Sequence, residues 1–124
     1  MNRVVHFEIH ADDPERCSAF YAKVFGWQIN RWDAGAEPYW LVVTGPDGEP
    51  GINGGILKRR HPMGNVYNSI QVASLDDACA TVLANGGKIV VPKTAIPGVG
   101  WLAYGNDTEG NVFGMMQEDK SAKA

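Results

Sequence analysis

Over residues 4–11 apolar and polar side chains alternate, with Val5, Phe7 and Ile9 set against His6, Glu8 and His10. A period of two predicts a strand with one buried face. The run Asp12-Asp13-Pro14-Glu15 then signals a helix start. An Asp cap takes an orphan amide, Pro fits the first turn, and Glu suits the positive end of the helix dipole. Cys17, Phe20, Tyr21, Val24 and Phe25 follow at helical spacing, which predicts one buried helix face, and Gly26 ends it. Three further strands are expected over 27–32, 39–44 and 52–58, the last two joined by the turn-forming Gly45-Pro46-Asp47-Gly48.

The pattern then restarts. Val66, Ile70 and Val72 alternate with Tyr67, Ser69 and Gln71, and Ser74-Leu75-Asp76-Asp77 reads as a capping box with Asp in place of Glu. Leu75, Ala78, Cys79, Val82 and Leu83 repeat the helical spacing, Asn85-Gly86-Gly87 stops it, and strands are expected over 88–91, 100–104 and 111–117. Phe7-Glu8-Ile9 overlays Ile70-Gln71-Val72, Cys17 overlays Cys79, Trp40-Leu41 overlays Trp101-Leu102, and Gly51 and Gly55 overlay Gly110 and Gly114. So many ordered matches define an internal repeat. The fold class that follows is α+β, with two tandem βαβββ modules over 1–58 and 65–118, a linker over 59–64 and a flexible tail over 119–124. Twisted four-stranded sheets curl, and two side by side are expected to form a concave cleft. His6, Glu8, His10, Tyr67, Ser69 and Gln71 would face it.

Composition narrows the function classes. The chain has 124 residues, enough for one domain, and its net charge of -3 leaves no basic footprint for nucleic acid. The Lys58-Arg59-Arg60-His61 run reads as a solvated linker. No apolar run reaches the roughly 20 residues of a membrane span, and the first strand starts too early for a leader. Cys17 and Cys79 fall on helix faces, as reduced thiols do, so a cytoplasmic location is expected. Pro97-Gly98-Val99-Gly100 reads as a flexible loop without the helix start that a nucleotide site needs.

Candidate chemistry gathers on the first strand. Neighbours among His6, Glu8 and His10 have Cα atoms roughly 6.6 Å apart, so His6 and Glu8 are within reach of a shared metal, whereas the two histidines lie near the limit of bridging. Zinc asks for three protein ligands with support behind them. A polar contact for His6 and a strand-end position near Asp12 for His10 are the simpler expectations. Glu8 reads either as a general base under an apolar rim or as a hydrogen-bonding group for Gln71. Among the aromatics, Tyr67 is the expected lining residue; Trp40 and Trp101 are expected to flank the cleft or the module junction, with core or junction expected for at least one, and Met115 and Met116 are expected as core filler.

The run VVHFEIHADDPERCSAFYAKVFGW, the GINGGIL strand and the NDTEGNVFGMMQ ending resemble the vicinal oxygen chelate superfamily. That group includes glyoxalase I, bleomycin-resistance proteins and extradiol dioxygenases, and the nearest resemblance is to its glyoxalase-related bacterial proteins. The resemblance implies ligand positions on the first and fourth strand of each module, here His6 and Gly55 (or Gly54), then Ser69 and Gly114. Glycine donates nothing and serine is a poor zinc or nickel ligand. No cofactor or metal is therefore expected, and the two glycines are expected to leave volume for a bulkier ligand. The implied function is a glyoxalase-related protein that binds a small organic metabolite, with Glu8 and His6 as catalytic groups. His10, Tyr67, Ser69, Gln71, Gly55 and Gly114 would line the ligand. The alternatives are sequestration without catalysis, as bleomycin-resistance proteins do, or a lyase or dioxygenase with an unorthodox metal site on His6, Glu8 and His10. A homodimer is the expected assembly.

Overall fold

The computed structural model describes residues 1–35, 37–60 and 65–124. Part of the expected linker, 61–64, lies outside the described residues. The elements run β1 (Arg3–Ala11), α1 (Pro14–Phe25), β2 (Gln28–Trp32), β3 (Tyr39–Val43), β4 (Asn53–Lys58), β5 (Val66–Gln71), α2 (Leu75–Ala84), β6 (Lys88–Ile96), β7 (Gly100–Asn106) and β8 (Val112–Glu118). This is βαβββ twice over, in the α+β class expected. The chain divides into two compact units, 6–66 and the combination of 1–5 with 67–124.

In residues 6–66 the strand order is β2-β3-β4-β1. β1 runs parallel to β4, and β3 is antiparallel to both β2 and β4. Asp13 caps α1 by accepting the Arg16 N–H, Pro14 stands in the first turn, and Gly26 closes the helix at φ 73° with its N–H on the Ala22 carbonyl. These are the local signals that the sequence carries. The core joins Ile9, Ala11, Trp40, Val42 and Ile56, with Phe7, Cys17, Tyr21, Trp27 and Ile29 packed against it.

The α1 face differs from the expectation. Cys17 and Tyr21 reach the core, but Phe20, Val24 and Phe25 are each more than half exposed. The reason is the aromatic stack beside the helix. Trp27 lies parallel to Tyr21 at 4.9 Å and Phe7 leans on Trp27 at 5.7 Å, which fills the space beneath the helix end. Val5, Val66 and Leu83, expected on buried faces, are exposed as well.

In residues 67–124 the order is β5-β8-β7-β6, with β5 parallel to β8 and the remaining pairs antiparallel. Ser74 caps α2 by accepting the Asp77 N–H, which is one half of the expected box. The Leu75 N–H, the first of the helix, is taken by the Gln117 side chain of β8. Val72, Leu75, Ala103 and Met115 form this unit's core. β6 runs longer than expected because bulges between Ile89 and Thr94 absorb Pro92, which has no N–H for the ladder. The segment expected as a flexible loop before β7 is a tight turn. The Val99 N–H bonds the Ile96 carbonyl at 2.9 Å, with Gly98 at φ 75°. Residues expected as a tail also have partners: Asp119 accepts the Trp101 indole N–H, and Ala122 is buried.

The repeat extends to side chains. In 6–66, Arg31 lies 5.2 Å over the Trp40 ring and pairs with Glu15 in the first turn of α1. In 67–124, Lys93 lies 4.7 Å over the Trp101 ring and pairs with Asp76 in the first turn of α2. Each unit thus places a cation between its repeated tryptophan and the positive end of its helix. The matched tryptophans serve the cores.

Candidate functional site

The site is built on the face of β1 turned away from the core. The parallel register sets Glu8 opposite Gly55 and His6 opposite Asn53, while Phe7 pairs with Gly54 on the core side. A Cβ on Gly54 would lie 2.4 Å from the Phe7 carbonyl oxygen, so this glycine belongs to the ladder and the core. Gly55 is the one that faces the polar side.

Gly55 does not open volume, contrary to expectation. A Cβ there would fall 1.9 Å from the Tyr39 hydroxyl oxygen. Tyr39, the first residue of β3, lies across the place that a fourth-strand side chain would fill. Its hydroxyl is 2.7 Å from His6 Nε2 and donates to Glu8 Oε2 at 3.0 Å. A phenol has one proton, so His6 Nε2 carries the other and donates to the Tyr39 oxygen. The chain of donors is His6 to Tyr39 to Glu8. His10 follows, its Nε2 at 3.8 Å from Glu8 Oε1. His10 stands at the strand end as expected, and its ring is buried beside Glu8. Lys58 and Arg59 take Asp12.

Burial pushes the His6 imidazole below its usual 6.5, and the neighbouring Glu8 opposes that push without reversing it. Desolvation disfavours the charged ring. The unfolded chain then binds a proton that the fold resists, so stability falls as pH drops below 6.5 toward the lower folded value. The His6 ring signals are expected to titrate below 6.5 by NMR, and H6Q should flatten the loss of stability in that window.

In residues 67–124, Tyr67 and Ser69 are buried and Gln71 is half-buried, its carbonyl accepting the Asn2 N–H. Ser69 pairs with Gly114 across the ladder. A Cβ on Gly114 would sit 3.2 Å from Ser69 Oγ and 3.4 Å from the Tyr104 ring, and Tyr104 meets Tyr67 edge-on at 5.7 Å. Both fourth-strand glycines thus face a tyrosine from the neighbouring strand. Tyr39 and Tyr104 are the residues that sequence reasoning missed. The signal was present in Tyr39 having the parity of Leu41, whose register partner is Gly55.

These donors do not fit the four-ligand metal set. His6 Nε2 is engaged by a phenol that lies in the place of a side chain at Gly55 and also holds Glu8 Oε2, and the positions in 67–124 are a serine and a second glycine. Among the described residues no cluster of three or more His, Cys, Asp or Glu side chains is arranged to hold a metal ion. No described helix is long and apolar enough to cross a membrane.

The doubled βαβββ unit, with a polar side on each first strand, is a fold shared with solved structures of low sequence identity. The chain resembles the vicinal oxygen chelate superfamily in sequence and in fold. The Bleomycin resistance protein-like N-terminal family profile matches residues 3–45. CFP32, a candidate glyoxylase of Mycobacterium bovis, is 31% identical over 114 residues, covering 89% of this chain. The same protein in Mycobacterium tuberculosis matches equally. This chain spans only 42% of the length of those relatives. Among solved structures, the hypothetical protein BH1468 of Bacillus halodurans superposes with TM-score 0.70 at 14% identity, over 99% of both chains. Methylmalonyl-CoA epimerase of Mycobacterium tuberculosis gives 0.67 at 11% identity, over 93% of this chain and 87% of its own.

Proposed function

We propose that this chain is a glyoxalase-related enzyme that moves a proton next to a carbonyl of a small organic molecule, using side chains alone. The observation that carries the reading is the Tyr39 hydroxyl, held between His6 and Glu8 in the place of a fourth-strand ligand. Glu8 takes the phenol proton while His6 steadies the oxygen left behind, which makes Tyr39 a base for a substrate C–H. Reversal of the same bonds returns a proton to the substrate. Such positioned acid–base groups contribute about 100-fold or more to rate. In 67–124, taken alone, Tyr67, Ser69 and Gln71 offer further polar and aromatic groups, and Gly114 faces Ser69 and Tyr104. A homodimer is part of the proposal; the length of the matched relatives, with room for a second such unit, supports it.

The test is deuterium exchange at the CH2 of 2-hydroxyacetophenone in D2O, followed by proton NMR with a chelator present. Catalysed exchange is expected. Exchange that the chelator abolishes and added zinc or nickel restores would overturn the side-chain mechanism. Sequestration is the second reading, favoured by the exposed Leu41 and Val43 beside the relay. It predicts binding without exchange.

A further inference from the structure

The strand register fixes the charge of the face that carries the relay. β3 turns Tyr39, Leu41 and Val43 to this side, and β2 turns Gln28, Asn30 and Trp32, paired respectively with Val43, Leu41 and Tyr39. Leu41 is 42% exposed and Val43 40%, next to the Trp32 ring, which meets Tyr39 edge-on at 6.5 Å. Glu8 is the acidic group here. Arg31 and Lys58, the strand cations of 6–66, have the opposite parity. Arg31 lies over Trp40 on the core side, and Lys58 pairs with Ala11. In 67–124, taken alone, the corresponding side of β5, β7 and β8 carries Tyr67, Ser69, Gln71, Leu102, Tyr104 and Met116, again with no Lys or Arg. In β6, Lys88 has that parity at its exposed first position, opposite Asn106.

We infer that this face selects an uncharged ligand with an apolar or aromatic body, and rejects carboxylates, phosphates and thioesters of polyanionic carriers. An anion brought against Glu8 would lose water without gaining a cation, and like charges brought together are strongly unfavourable. A neutral carbonyl compound loses far less water and covers Leu41, Val43 and the Trp32 ring, whose burial favours it. The named activity of the structural neighbour, an epimerase of a coenzyme A thioester, requires a ligand that this face has no group to hold. The inference rests on the reading of this face as ligand-binding and adds the substrate class to it.

The test compares two probes that share a phenyl ring and a hydroxyl group, 2-hydroxyacetophenone and the mandelate anion. Binding is followed by Trp fluorescence and by the methyl NMR signals of Leu41 and Val43. The neutral probe is expected to bind at least about tenfold more tightly than the anion and to shift both methyl sets. L41K, at an exposed position opposite Gly55, should narrow or invert that preference. Equal or tighter binding of mandelate to the unaltered protein would overturn the inference, as would shifts that leave Leu41 and Val43 untouched by either probe. Neutral-selective binding without deuterium exchange would support the inference while overturning the proposed reaction, so the two fail separately.

Discussion

G54A is expected to lower stability by about 3 kcal/mol or more, near or beyond the top of the usual range for overpacking. The added methyl would sit 2.4 Å from the Phe7 carbonyl oxygen and 2.6 Å from the Phe7 ring. The oxygen is backbone in the parallel strand alongside, so relief requires the β1–β4 ladder to part. In a domain of this size that corresponds to a fall in Tm of about 10 °C, measurable by calorimetry or by the urea midpoint. G55A meets only the tip of Tyr39, which can swing aside. Its cost should be nearer the two hydrogen bonds lost, about 1–2 kcal/mol. Equal destabilisation by the two variants would contradict the assignment of the glycines to opposite faces.

The second large effect is on turnover. Y39F keeps the ring over Gly55 and removes the hydroxyl that bonds both His6 and Glu8. E8Q keeps the shape and removes the proton acceptor. Each should reduce deuterium exchange in 2-hydroxyacetophenone by about 100-fold, with binding of the probe changed far less. Y39F combined with E8Q should be little worse than either alone, because residues acting as one unit are not additive. Additive losses would separate the two side chains into independent roles.

The fold was legible where its causes are local. The β1 strand, the Asp13 and Ser74 caps and the Gly26 stop each act within a few residues and all appear in the structure, although burial along β1 rises from Arg3 to Ala11 and does not alternate. The α1 face was legible only in part. Helical periodicity marks a stripe, and whether Phe20 or Val24 is covered depends on Trp27 and Phe7, which tertiary packing brings beneath the helix. The site divides in the same way. His6 and Glu8 were visible because parity places them together on one strand. Tyr39 was not, because its meeting with Gly55 depends on the register of β3 against β4. A glycine in a sequence shows that a side chain is missing; it does not show what fills the space. Here a tyrosine does, and the expectation of open volume reversed into that of a filled, hydrogen-bonded position.

The proposed chemistry depends on Tyr39 in place of a metal ligand. Elemental analysis of protein purified without chelators tests that most directly. Substoichiometric zinc, nickel and iron are predicted, unchanged in H6A. Stoichiometric metal in the unaltered protein, lost in H6A, would contradict it.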